Sequence, residues 1–469
     1  MSRFDRNQRL AAFKTLETRC RLFAVRVDGW SAWRVMRNFA YYSAAALPLV
    51  SPARSQASRV RAALVGSLRL AGHLLRGRRV DVLVKTARSA LRMETPAGAR
   101  DVYFDGFLGE YRHFKLEEVN SAQYDDQARR ARHPAHLDAV VFTFWGKVLS
   151  KLKPAPAPAA VFARTVSAEL AREVDVHIPV AALLERISTA YWQGRLYGLL
   201  LARLRPRVVL GSDTGDYGLM IACAKAGIPF IELQHGIFDA KHPDAVPTDA
   251  EGTDRELLIP DALASRGAHW VNALAGTRHA AAARLMGNEL IDQALDARAA
   301  DAGGADRPHT LVVTSQGLDV ESLAQWLSDM VAAAPQGLDW RLRIKLHPVY
   351  DLGATAFDAL EADDRVEVVP GAAAPNVFQL LSQADLHLSI ASACHFDALA
   401  IGVPSVVVPL SGHEIMLDAI DGRSLVLATD PAQVWTSPPA PPSQSDRTAY
   451  SQPGFLDNMR ALIAAFGGR

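Results

Sequence analysis

The stretch Ile228-Pro-Phe-Ile-Glu-Leu-Gln-His-Gly-Ile-Phe238 constrains this chain more than any other. A short apolar run leaves a Gly-Ile-Pro turn and stops at Gln234-His235-Gly236. A run of this length between turn signals reads as a buried strand of a parallel sheet. In open α/β sheets, ligands bind at the carboxyl ends of such strands. A histidine followed by glycine suits chemistry there better than packing. The imidazole titrates near neutral pH, and glycine lets a ligand approach the backbone.

The rest of the chain alternates in the same way. Arg207 to Gly211 reads as a strand, 217–226 as a helix and 228–233 as the next strand, which completes a βαβ unit. Val80 to Lys85 and Leu137 to Trp145 read as earlier strands, Lys151 to Ala160 as a loop, and 160–204 as one long helical stretch. Beyond a linker-like Ala/Gly/Asp segment at 296–308, strands are expected at 310–314, 341–346, 365–369, 385–390 and 405–410. The expected fold is therefore α/β, with two Rossmann-like domains facing across a cleft. The expected division is a basic helical segment over 1–80, a first Rossmann-like half over 81–295, a second over 309–435, and a C-terminal helix within 446–469 packing back on the first half. At 469 residues the chain is too long for one ordinary core, in keeping with that division.

The formal charge of +1 argues against nucleic acid as a partner, yet it hides an asymmetry. Between Asp28 and Asp81 no acidic residue occurs, while nine arginines fall inside, Arg34 and Arg37 among them. Val60, Leu64, Leu68, Ala71 and Leu75 recur at helical spacing within 57–76. Residues 29–80 thus read either as a surface segment with a solvated basic face or as a patch for an anionic membrane surface or a lipid-linked acceptor. Trp30 and Trp33 fit both. Three scattered cysteines make no disulfide framework, and the first residues lack the apolar core of a signal peptide. The longest apolar stretch, 39–50, falls short of the ~20 residues of a spanning helix. A cytoplasmic protein, at most peripheral at the inner face of the membrane, is expected.

Four spots at expected strand ends carry chemistry. The first is Gln234-His235-Gly236, with His242 close behind, and the second is Lys345-Leu-His347-Pro348. The third is Ser389-Ile-Ala-Ser392-Ala393-Cys-His395, ahead of a helix at 394–401, and the fourth is Gly402-Val-Pro404. Small residues and hydroxyls at a helix N-terminus leave backbone N–H groups for a phosphate. Lys345 and His347 would add cationic donors, and the two serines read equally as helix caps. Asp213 and Asp216 are candidate bases or plain turn residues. The Gly-x-Gly-x-x-Gly fingerprint, the Walker lysine loop and an Asp-x-Asp pair are all missing, which favours metal-independent, cofactor-free chemistry on a phosphate-bearing donor.

The three motifs Glu232-Leu-Gln-His-Gly, Lys-Leu-His-Pro and Ser-x-Ala-Ser…Phe-Asp-Ala-Leu-x-x-Gly-x-Pro together resemble bacterial surface-polysaccharide transferases of the GT-B fold. The pattern is similar to that of capsule-type Kdo transferases and CDP-glycerol glycerophosphotransferases, over about 205–410. Trp33 to Arg37, and Ile259-Pro-Asp-Ala with Gly267 to Trp270, also resemble proteins of carbohydrate-biosynthesis clusters. The resemblance implies glycosyl transfer from a nucleotide-activated sugar, a CMP-linked one among the candidates, to a polysaccharide or lipid-linked acceptor. It implies that His347 and Ser392 hold the donor phosphate and that His235 faces the reaction centre. At the place of the usual acidic donor contact stands Cys394-His395-Phe396-Asp397, so Asp397 or His395 would substitute. Polyol-phosphate transfer, epimerisation or hydrolysis of a nucleotide sugar, and a non-catalytic scaffold remain open.

Overall fold

The computed structural model describes residues 6–45, 56–88, 92–95, 98–119, 132–133, 135–212, 215–234, 236–301, 307–348, 350–351, 355–371 and 374–467. Two wholly parallel sheets organise them. The first has seven strands, ordered across the sheet as Ala283–Leu285, Ala262–Ser265, Phe230–Leu233, Val208–Gly211, Val82–Arg88, His113–Val119 and Leu137–Asp138. The second has six, ordered Val366–Val369, Trp340–Lys345, His309–Thr314, Leu386–Ser389, Ser405–Val407 and Leu425–Leu427. Numbered along the chain within each sheet, both read 3-2-1-4-5-6, the first with a seventh strand added. This is the doubly wound order of dinucleotide-binding folds, and the chain reverses direction between strands 1 and 4. The reversal lies between Val82–Arg88 and Val208–Gly211 in the first sheet, and between His309–Thr314 and Leu386–Ser389 in the second.

Several local readings are corrected. Leu137 to Trp145 is not a strand: only Leu137–Asp138 pairs, and Val140–Leu152 is a helix. Asp138 accepts the Val140 N–H and starts it. Phe142 stacks on Tyr197 with centroids 3.9 Å apart, and Gly146 lets the helix approach Gln193 and Thr189 of Val180–Leu204. That helix also takes in the start of the expected 151–160 loop, and the next begins at Ala157. The long stretch at 160–204 is two helices. The first closes in a π turn, Leu170–Val174, and ends at Asp175, whose φ of 57° breaks the path.

The N-terminal residues are built into the first lobe. Phe13, Leu16, Trp30, Trp33 and Met36 join one core with Leu83, Phe114, Leu116 and Val209 of the sheet. Trp33 Nε1 donates to Glu17, and Arg37 pairs with Glu17 while bonding the carbonyls of Pro243 and Ala245. Arg34 is 2 % exposed and lies 2.7 Å from Asp244, which also accepts from Tyr217 and Asn38. Burial alone would raise the Asp244 carboxyl, but Arg34, His242 and Tyr217 outweigh it and hold it at about 2. Arg34 and Arg37 are therefore withdrawn from the anionic surface expected over residues 29–80.

Two crossings tie the lobes. Helix Glu289–Ala300 starts against Arg100 of the first lobe, yet Ile291 and Ala294 lie in a core with Val312, Val369, Leu380 and Ala398 of the second. The final helix, Phe455–Gly467, returns. Its Phe455, Met459, Leu462 and Ile463 cover Val82, Val208, Leu210 and Ile231 of the first sheet.

Candidate functional site

The carboxyl edge of the second sheet is a convergence of loops. Residues after the first strand, Ser315 to Gly317, meet those after the fourth, Ile390 to Ala393, where Ala391 N donates to Gln316 Oε1 at 3.2 Å. Gly317 has a φ of +67°, and a Cβ there would lie 2.5 Å from that of Tyr350. Gly371 admits Pro348 as closely, since a Cβ at 371 would stand 2.4 Å from its Cα. These glycines let the loop carrying His347 lie against both neighbours.

Within that convergence, the His347 ring stacks on Tyr350 with centroids 4.4 Å apart. Its Nδ1 accepts the Tyr350 N–H at 3.1 Å, and its backbone N–H donates to Asp351 at 2.5 Å. Burial lowers the ring's pKa and Asp351 partly opposes it. Lys345 is buried, its ammonium donating to the Pro370 carbonyl at 2.8 Å, and burial brings its pKa down to about 8. Ser392 accepts the Cys394 N–H at 3.1 Å at the start of helix Cys394–Ile401, with Ala393 as the cap residue. Lys345, His347, Pro348, Ser392 and Ala393 thus belong to one edge. Two cation-capable side chains and a helix start can stabilise an anion there.

Other expected donor ligands point elsewhere. The Ser389 hydroxyl is fully buried and donates to Thr314 O at 2.7 Å, bracing the two strands at the reversal. His395 is also fully buried, its Nδ1 2.7 Å from Ser405 Oγ and its ring 5.1 Å from His387, which in turn reaches Thr314 Oγ1. Burial drives its pKa down to about 3. His395 is thus a neutral core residue, packed away from the open edge of the sheet. Asp397 leaves its own lobe: its carboxylate lies 2.7 Å from Arg266, which follows strand Ala262–Ser265 of the first sheet. Burial raises Asp397, and Arg266 counters it.

At the first lobe's edge, His235 and Asp213 lie outside the described residues. Gln234 binds the Arg266 N–H through Oε1 at 3.0 Å and the Gly236 carbonyl through Nε2 at 2.9 Å. A Cβ at Gly236 would meet no atom within 4 Å, so open space adjoins that backbone. Asp216 is ion-paired with Lys85 at the strand reversal, and Glu118 is 3.4 Å from the same ammonium. His242 is set back. Its Nδ1 accepts the Asp244 N–H at 3.1 Å and its ring lies against Phe238, so it supports the buried Arg34–Asp244 group. A cavity of about 500 Å³ opens beside Gly215 and Tyr217, walled by Asn38, Lys147, Arg186 and Gln193. Among the described residues, no group of three or more His, Cys, Asp or Glu side chains is placed to hold a metal ion.

Sequence reading missed Arg266, Tyr103 and the 315–317 loop. Tyr103 interacts with Arg266, and its pKa is raised by burial. Around them the lobes touch at a packed patch, and Lys241 of the first lobe also pairs with Asp418 of the second. Trp270 Nε1 donates to Tyr450 O at 3.1 Å and packs on Phe396, while Gln452 N donates to Arg266 O. A signal for the loop exists in hindsight, because the first strand of a 3-2-1-4-5-6 sheet always borders the reversal. Arg266 has no such signal.

No protein-family model matches the chain, and no curated protein matches it. Solved structures similar to it include a UDP-GlcNAc 2-epimerase from Neisseria meningitidis bound to UDP-GlcNAc, at 13 % identity and a TM-score of 0.45 over 83 % of this chain and 100 % of that one. Acinetobacter baumannii MurG matches at 13 % identity and a TM-score of 0.44, over 83 % and 100 %. The kitacinnamycin glycotransferase matches at 14 % and 0.41, over 83 % and 96 %. At such values the fold assignment rests on the chain's own strand orders.

Proposed function

We propose that the chain is a glycosyltransferase, moving a sugar from a nucleotide-activated donor to a hydroxyl of a polysaccharide or lipid-linked acceptor in bacterial surface-polysaccharide synthesis. One observation carries the reading. Two 3-2-1-4-5-6 sheets meet through residues at their carboxyl ends, and one edge gathers Lys345, His347 and the start of a helix. In doubly wound sheets that edge is where nucleotides bind.

In the transfer, the acceptor oxygen bonds to the anomeric carbon as that carbon's bond to the donor phosphate oxygen breaks. The electron pair leaves on the nucleotide, and the acceptor proton passes to His235 or Asp213. Lys345, His347 and the N–H groups opening helix Cys394–Ile401 stabilise the departing phosphate. Such preorganised donors act without a metal ion. Gln234, Gly236 and Asp216 line the acceptor side, with the 500 Å³ cavity beside Tyr217 receiving the acceptor's preceding unit. Exclusion of water from the crevice favours transfer over hydrolysis of the donor.

The test is thermal protection by CMP, CDP, UDP and GDP. One nucleotide at about a hundred times its Kd is expected to stabilise the protein by about 2.7 kcal/mol. His347→Ala is expected to remove that protection without lowering the unliganded melting temperature. No protection by any of the four, or equal protection of the variant, would overturn the reading. Donor turnover with no acceptor present would move it to epimerisation or hydrolysis.

A further inference from the structure

Helix Gln56–Arg76 carries its apolar stripe outward. Val60 is 43 % exposed, Leu64 56 %, Leu68 78 % and Leu75 80 %, with Ala71 exposed between them. At 100° per residue these five positions cover one sector of about 80°. The opposite face is the one that packs: Ala63 is fully buried, and Gly66 approaches Val141 so closely that an added Cβ would stand 3.3 Å from it. By the same rotation Arg61 lies about 20° past one border of that sector, Arg76 about 80° and Arg69 about 100° past it, all exposed on the side that turns away from the leucines, and Arg78 and Arg79 follow the helix end. A leucine row turned to water is costly, at about 25 cal/mol per Å² of apolar surface. A row of this extent on a basic helix has the make-up of an interfacial helix.

We propose that Gln56–Arg76 lies in the surface of an anionic bilayer, with Leu64, Leu68 and Leu75 among the acyl chains and Arg61, Arg69 and Arg76 at the headgroups. Charge selects this occupant over a second copy of the chain. A self-paired helix would bring two arginine rows together, and no acidic residue between Asp28 and Asp81 would offset them. Among the described residues no helix is long and apolar enough to cross a membrane, so attachment through this helix is lateral. The helix packs on Val140–Leu152 and Leu137–Asp138, and its attachment is a separate proposal from the chemistry assigned to the sheets' carboxyl edges.

Vesicle co-sedimentation without donor or acceptor tests it. The full chain is expected to bind vesicles of phosphatidylglycerol mixed with phosphatidylcholine at low salt, and to release as salt rises. Leu64→Glu with Leu68→Glu is expected to weaken binding roughly a hundredfold. Arg69→Gln should weaken it about fivefold. Leu338→Glu, exposed on the other lobe, serves as the control and should bind as the parent does. Unchanged melting temperatures would show the variants folded. Failure of the parent to sediment, equal binding to pure phosphatidylcholine, or unaltered binding of the double variant each overturns the proposal. So does a concentration-dependent dimer that the double variant dissolves while vesicles go unbound.

Discussion

Lys345 shows what a single buried cation does to a site. Desolvation alone lowers its pKa to about 8, against 10.5 for the free side chain. The ammonium is thus charged below about pH 8 and neutral above it, so its contribution to holding an anion is present below pH 8 and lost as pH rises through it. Nucleotide affinity is expected to fall roughly tenfold between about pH 7 and 9, the range over which the charged fraction falls from about nine-tenths to one-tenth. Lys345→Arg should flatten that profile at high affinity, and Lys345→Met should flatten it at low affinity, both read by calorimetric titration. A profile of unchanged slope in the methionine variant would remove Lys345 from the phosphate site. The neighbouring histidines differ for a similar reason. His347 keeps a ring face on a half-exposed loop, whereas His395 is sealed beside Ser405 and His387. The hydrophobic pattern could not separate them. Residues 396–401 are buried all round, so the helix has no polar face to fix its phase. Ser389 reads as a donor ligand for the same reason, since a strand buried at every position does not show which side chains reach its open edge.

Among the elements, those with strong local patterns were legible. Strands His309–Thr314, Trp340–Lys345, Leu386–Ser389 and helix Cys394–Ile401 fall within a residue or two of the pattern reading. Val140–Leu152 did not, because Val-Val-Phe-Thr-Phe-Trp favours a strand locally while contacts with Tyr197 and Gln193 favour a helix. The outward stripe of Gln56–Arg76 has the spacing of an ordinary core-facing helix, and only the packed Ala63–Gly66 face reveals its direction. The final helix makes the same point about distance. Met459 is fully buried among strands of the first sheet, hundreds of residues earlier in the chain. Met459→Ala is expected to cost about 2–5 kcal/mol. Hydrogen exchange should place the loss in Val208–Gly211 and Phe230–Leu233, with Leu386–Ser389 unaffected. Loss confined to the second sheet would contradict this packing.

At the scale of the molecule, the pair Arg266–Asp397 decides how the lobes are joined. Each side chain is under 10 % exposed, and each comes from a different sheet's carboxyl edge. The pattern of motifs placed Asp397 against the donor, because nothing in the local sequence marks an arginine far upstream as its partner. The two roles predict different mutants. A buried pair broken on one side leaves an uncompensated charge worth about 3–5 kcal/mol, while replacing both members with apolar residues of similar size is often neutral. Asp397→Leu is therefore expected to loosen the patch around Trp270 and Tyr450, seen as faster hydrogen exchange there. Arg266→Met combined with Asp397→Leu should restore both slow exchange and nucleotide affinity if the carboxylate serves to dock the lobes. If it contacts the donor, the double variant will recover its exchange protection and still bind nucleotide weakly. Restored docking with restored affinity assigns Asp397 to positioning, because a crevice between two sheets depends on their relative placement, and the first lobe's share in that placement comes partly from a residue with no motif of its own.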